Sequence, residues 1–299
     1  MLFLTGCAVT PPRGEGVRTD TTVAWRGGTN VLWQFSFDPG KGKPFFHPLS
    51  TRSGVSLTNF KPQDHPWHYG LWFSWKYINH VNYWEEDRTT GHAEGATRWD
   101  APVIKTHRDG STSIALNLTY TNPTGRVDMI EKRTLEVSAP SSEGGYTIEW
   151  RAQFTAGDHG AVLDRTPMPG EPGGAVNGGY AGLGARLAAA PITVSFVCST
   201  GVVDHFVSDR ARPNAAAMAC NFSRDAQPVG SIAIFSDPAN AGKNASWYIV
   251  NTEQMRFMCP SILAPKVLTL KANEKLELHY RIVIGSKIWT PDMLRVKTD

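Results

Sequence analysis

Hydrophobic and polar residues alternate along most of this chain with a period of two. Tyr146, Ile148, Trp150, Ala152 and Phe154 interleave with Thr147, Glu149, Arg151, Gln153 and Thr155, which predicts a strand with one buried face. Ile114, Leu116, Leu118 and Tyr120 repeat the pattern, and Asp109-Gly110 ahead of them predicts a hairpin back to residues 103–107. Leu276, Leu278, Tyr280, Ile282 and Ile284 give another long strand. Shorter candidates are residues 31–37, 126–137, 181–187, 192–198, 231–236, 246–250 and 266–270. No stretch keeps a 3.6-residue period beyond a turn or two. The expected fold is all-β, a single large antiparallel β-sandwich over residues 21–299.

Two segments break the pattern. Residues 157–180 are rich in Gly and Pro and too long for a hairpin, which predicts a lid, a binding loop or a disordered insert. Residues 208–228 are a second long, weakly patterned segment. No linker or internal repeat divides the chain, and 28 Gly with 20 Pro suit many short strands joined by turns.

Composition narrows the partners. Hydrophobic residues at 41% against 19% charged fit a globular protein. A net charge of +3 from scattered Lys and Arg gives no footprint for nucleic acid, so no nucleic-acid partner is expected. No apolar run approaches the ~20 residues of a membrane helix. Leu2-Phe3-Leu4-Thr5-Gly6-Cys7 resembles a bacterial lipobox whose basic and central apolar regions are missing. The expectation is a truncated lipoprotein signal and flexible tether over residues 1–20, with lipidation at Cys7. That makes a lipid anchor the only membrane contact and places the protein in the bacterial cell envelope, periplasmic or tethered to the outer membrane. Cys198, Cys220 and Cys259 have no metal spacing and are expected to be buried thiols, with a single bridge in an oxidising periplasm as the alternative.

Chemistry concentrates in residues 60–88. This stretch holds Trp67, Trp72, Trp75 and Trp84 among ten tryptophans, with His65, His68, His80 and the carboxylates Glu85, Glu86 and Asp87. Rings beside imidazoles and carboxylates offer a stacking surface and groups that exchange protons near neutrality. Pro66 drives His65 into an extended conformation. A regular strand from there would put His68, Gly70 and Trp72 on one face and point His65 away from His68. A bend at Pro66 would bring the two imidazoles together, with Asp64 orienting one. Gly70 leaves room beside His68 for a ligand or a backbone. Arg186, in the small-residue strand GYAGLGAR, would bind a carboxylate, polarise a carbonyl, or pair with Glu149 or Glu131. Trp247 and Tyr248 would line the same cavity or fill the core. Two His with Glu85 or Glu86 would make a facial triad, so a divalent metal is possible, although no cofactor is expected.

The segments DHPWHYGLWFSW…NYWEE, GYAGLGAR, IAIFSDPAN…ASWYI and LKANEKLELHYRIVIG resemble the bacterial PmoA-like family, a domain of unknown function that carries a "methane oxygenase PmoA" label. Members of that family have His and Arg where this chain has Trp67 and Tyr69, so no mechanism needing three imidazoles is implied. The oxygenase label implies a membrane-spanning copper enzyme, and that activity is not expected of this chain. The chain is also similar to galactose-mutarotase-like supersandwiches, which implies that fold and a carbohydrate ligand.

The functional expectation is an envelope protein acting on a carbohydrate or glycoside by histidine acid/base chemistry, as an epimerase, lyase or hydrolase. The alternatives are a non-catalytic carbohydrate-binding lipoprotein and a metal-dependent oxidoreductase. His65, His68, Asp64, Arg186 and Glu86 are the catalytic candidates. Trp67, Trp72, Tyr180, Trp247 and His47 are the substrate-binding ones.

Overall fold

Alternating strands resolve into two large antiparallel sheets packed on a shared core. A computed structural model describes residues 14–241 and 244–296, so Cys7 lies outside the described residues. One ten-stranded sheet runs from Glu15–Arg18 through Thr22–Gly27, Asn30–Ser36, Phe45–Leu49, Leu71–Ser74, Gly182–Arg186, Arg256–Pro260 and Ala245–Asn251 to Arg210–Ala211, with Asn214–Ala215 also pairing on Ala245–Asn251. The other has Gln227–Ser236, Lys275–Gly285, Tyr146–Ala156, Val127–Val137 and Thr112–Thr121 at its centre. A four-stranded sheet containing Ala161–Asp164 and Tyr77–Ile78 accompanies them. This is the all-β sandwich that the period of two predicts.

The sheets meet through inward-facing side chains. Phe73 of the first sheet, and Trp75 just past the end of its strand, lie 5.1 and 5.0 Å, ring to ring, from Phe154 of the second. The Tyr146 hydroxyl crosses the interface to donate to the Leu32 carbonyl at 2.7 Å. Because side chains alternate across a strand, the first sheet has a second face, and it too is covered. Phe45, Tyr69, Trp72, Trp84, Tyr248, Val250, Phe257 and Cys259 form a separate cluster there. Between them, Leu71, Phe73, Ile249 and Met258 point the other way, into the main core.

Three departures from the expected elements have clear causes. Residues 15–18, read as tether, form an edge strand paired with Thr22–Gly27. The weakly patterned segment 208–228 contains the long strand Ala217–Arg224. Its Met218, Cys220 and Phe222 enter the main core, while Ala217 and Ala219 pack under Trp289 and Leu294, so both faces are apolar and no alternation shows. Residues 61–70 are turns rather than the start of a strand, which begins only at Leu71. Gly70 sits at φ +75°, and a Cβ there would lie 2.4 Å from the Phe46 carbonyl oxygen. The room beside His68 is therefore taken by backbone. Cys198, Cys220 and Cys259 are buried free thiols.

Candidate functional site

The turns at residues 61–70 do what a bend at Pro66 was expected to do. The His65 amide donates to the Pro62 carbonyl, and the His68 amide to that of His65, both at 3.0 Å. That one-turn coil stacks the imidazoles of His65 and His68, with ring centroids 4.7 Å apart and planes 27° from parallel. Arg88 clamps the coil from outside, donating to the carbonyls of Gln63 (3.0 Å) and Asp64 (2.7 Å) and lying 5.4 Å from the Trp67 ring.

Asp64 and Arg186 back the pair. One terminal nitrogen of Arg186, at the end of the Gly182–Arg186 strand, donates to both Asp64 oxygens (2.9 and 2.8 Å) and to the Gln254 carbonyl (2.6 Å). His65 Nδ1 donates to Asp64 Oδ2 at 2.8 Å. A carboxylate accepts, so in the neutral imidazole this bond puts the proton on Nδ1 and the lone pair on Nε2, the form of a general base. Burial alone would raise the Asp64 carboxyl, but the bonds from Arg186 and His65 outweigh it and hold the group below its ordinary value.

His68 differs in kind. It is 2% exposed, stacked on Phe257 at 5.2 Å and tilted against Trp72 at 4.9 Å. Burial first, then the charges of Arg186 and Lys43 and that of His65 whenever it is protonated, push its pKa well below the ordinary imidazole value. Its Nδ1 stands 3.4 Å from the Arg186 guanidinium, which only donates, so His68 accepts there and carries its proton on Nε2. At neutral pH His68 is thus an uncharged donor.

The pair forms one wall of a cleft of about 200 Å³. Trp67, Trp84, Tyr180, Tyr248 and Phe257 supply its aromatic surface, and Glu85, Asn177 and Arg210 its other polar groups. Val176, Asn177 and Tyr180 come from the Gly/Pro-rich segment, which walls the cleft. Glu85 accepts from Tyr180, Lys76 and Asn82. Burial favours its neutral form, but the Lys76 charge and these bonds hold it ionised, below the ordinary carboxylate value. Burial and then the Glu85 charge raise the Tyr180 phenol, so its proton stays in place.

The structure gathers Asp64, His65, His68, Arg186, Trp67 and Tyr180, and it parts the other candidates from them. Glu86 does not enter the cleft. It is held between Lys43 (2.9 Å), the Tyr69 hydroxyl (2.7 and 2.9 Å) and Lys61 (3.5 Å), beside a separate depression bordered by Lys41, His92 and Trp99. The carboxylate facing the cleft is its neighbour Glu85. Trp72 packs against His68 and is not among the residues that line the cleft. Trp247 is core, its indole N–H donating to the Ala215 carbonyl at 2.9 Å; strand alternation gives the cleft Tyr248 instead. His47 bonds Thr58 at 2.9 Å and stacks on Phe60 outside the cleft, and burial pushes its pKa down to about 4. Arg186 is fully buried and its charge is matched by Asp64, so it is out of reach of a ligand carboxylate even though its Nε has no partner. Glu149 instead pairs with His279 and Arg281, and Glu131 with Arg133.

No trio of His, Cys, Asp and Glu is placed to hold a metal ion among the described residues. The oxygens of Glu85 and Glu86 are engaged by Lys, Asn and Tyr, so the facial triad considered from the sequence is not assembled. Phe257, Met255, Asn177 and Arg210 are cleft residues that sequence reasoning missed. For Phe257 a signal existed: residues 257–260, FMCP, are a short apolar run.

Comparison with solved structures shows a shared fold. The chain resembles the GH36 α-galactosidase AgaB of Geobacillus stearothermophilus with a TM-score of 0.51 and 9% identity, covering 91% of this chain and 41% of that one. An α-galactosidase of Lactobacillus brevis gives 0.47 and 9%, covering 92% and 40%. A Klebsiella pneumoniae protein assigned by name as an aldose 1-epimerase gives 0.43 and 8%, covering 94% and 81%. The chain spans about two fifths of the length of the α-galactosidases it matches. No curated protein matches it. A family model matches residues 22–297, and the chain belongs to that family, a family of unknown function designated DUF6807.

Proposed function

We propose that the protein acts on a carbohydrate by proton transfer in the cleft, with His65 as general base and His68 as a neutral hydrogen-bond donor. The observation that carries this reading is the Arg186–Asp64–His65 relay, which fixes a lone pair on an imidazole facing a cleft lined by aromatic rings. Aromatic faces suit the apolar faces of a sugar ring, and polar edges suit its hydroxyls. The fold shared with an α-galactosidase supports the same substrate class. Epimerisation, elimination and base-assisted hydrolysis each use a base positioned in this way.

An envelope location with a lipid anchor at Cys7 is part of the proposal and rests on the Leu2–Cys7 motif alone. So is the PmoA-like likeness of residues 64–72, which would mark the coil that holds the histidine pair.

The test uses His65→Ala, because the His65 side chain is 33% exposed while His68 is core. Sugar turnover should vanish with the melting temperature nearly unchanged. Binding of sugars that survives loss of His65, with no turnover by the wild type, would instead make the protein a carbohydrate-binding module.

A further inference from the structure

The cleft carries a positive charge that the described residues leave uncancelled. Arg210 lines it and makes no ion pair among the described residues. Its Nη1 donates to the Ser208 carbonyl, its side chain also reaches the Tyr248 phenol, and its Nε is buried with no partner; both partners are neutral. The side chain is rooted on a tight turn. Val207 and Arg210 exchange both backbone hydrogen bonds (2.8 and 3.1 Å), with Ser208 and Asp209 between them at φ +49° and +64°, the two-residue turn that closes a twisted hairpin.

Arg212 reinforces the charge from behind. Its guanidinium lies 4.9 Å from the Tyr248 ring and donates to the carbonyls of Val176 (2.9 Å) and Gly178 (2.7 Å). It too lacks a carboxylate partner among the described residues, and it feels the repulsion of Arg210. On the negative side, Glu85 is the one carboxylate among the lining residues, and Lys76 neutralises it. Asp64 is matched by Arg186.

A half-buried guanidinium held only by neutral partners loses hydration that a carbonyl and a phenol replace in part, and an anion would supply the missing counter-charge. Its planar fork fits a carboxylate through two parallel bonds. We infer that the ligand of this cleft is a carboxylated sugar, of the uronic-acid class, whose carboxylate docks on Arg210. The inference rests on reading the cleft as a sugar site, and it moves the anion-binding role from Arg186, where the sequence placed it, to Arg210.

Calorimetric titration of the full chain tests it with D-galacturonate, D-galactose and D-galactose 6-phosphate, and with the matching glucose set. The uronate should bind about tenfold or more tighter than its neutral hexose, with the advantage falling as NaCl is raised. Arg210→Gln should bring the uronate down to the neutral hexose, and Arg210→Lys should restore only part, because an ammonium lacks the fork. Equal affinity for uronate and neutral hexose overturns the inference and leaves the sugar site standing. Tightest binding of the phosphate overturns it in favour of a phosphorylated sugar. An advantage that survives Arg210→Gln in protein still folded by circular dichroism, or resists salt, removes Arg210 from the role. Binding of none of these sugars overturns both the inference and the sugar-site reading beneath it.

Discussion

Asp64→Asn keeps the size of the side chain and removes the charge that ties His65 to Arg186. Arg186 is 0% exposed, and after the substitution it keeps the Gln254 carbonyl at 2.6 Å and the 3.4 Å contact with His68. Charged hydrogen bonds contribute about 1.5–3 kcal/mol each, and a buried charge left without its partner costs about 3–5 kcal/mol. The Asp64 side chain is 33% exposed, so water and counter-ions recover part of this, and a net loss of roughly 2–3 kcal/mol is expected. Urea unfolding at neutral pH measures it. A second readout follows from the tautomer. The carboxylate demands a proton on His65 Nδ1, whereas an amide offers donor and acceptor alike. Nitrogen-15 NMR of the imidazoles should show His65 as the Nδ1–H form in the wild type and shifted towards Nε2–H in the variant. A stability loss under about 0.5 kcal/mol with an unchanged tautomer would refute the relay.

Glu86→Gln strands the Lys43 ammonium, whose side chain is 2% exposed, and should cost about 3–5 kcal/mol in denaturant unfolding while sugar binding at the cleft persists. Loss of binding in protein that remains folded would return Glu86 to the site. Gly70→Ala forces a Cβ against the Phe46 carbonyl at φ +75° and should cost about 1–3 kcal/mol; a melting temperature equal to the wild type would contradict the turn geometry. His68 and His47 both bind protons less readily folded than unfolded. Their contribution is intact above the unfolded pKa of about 6.5 and is lost on acidification below it, at up to about 1.4 kcal/mol per pH unit per group. The urea midpoint should therefore fall from pH 6.5 towards 4, with a shallower slope in His68→Gln, and a flat profile would show that these imidazoles are not buried neutral.

The strands were readable because most have one face on the main core, as Tyr146–Phe154 shows. Ala217–Arg224 was not, because Trp289 and Leu294 cover its outer face and erase the alternation. The histidine pair was readable as residue types, and Pro66 gave the bend. What the sequence could not show is which neighbour of a dipeptide faces which way. Glu85 and Tyr248 face the cleft while Glu86 and Trp247 turn into packed interior, a choice made by strand register and by Lys43 and Lys61 closing on Glu86. Arg210 stayed hidden because its importance lies in the partner it lacks, which only the assembled cleft reveals.

The most direct test of proton transfer by His65 is proton NMR of hexuronates and hexoses incubated with the protein in D2O. The wild type should speed interconversion of sugar forms or replace a sugar C–H by C–D, and His65→Ala should do neither. A sugar that binds in the cleft and stays chemically unchanged, with binding indifferent to His65, would contradict the account.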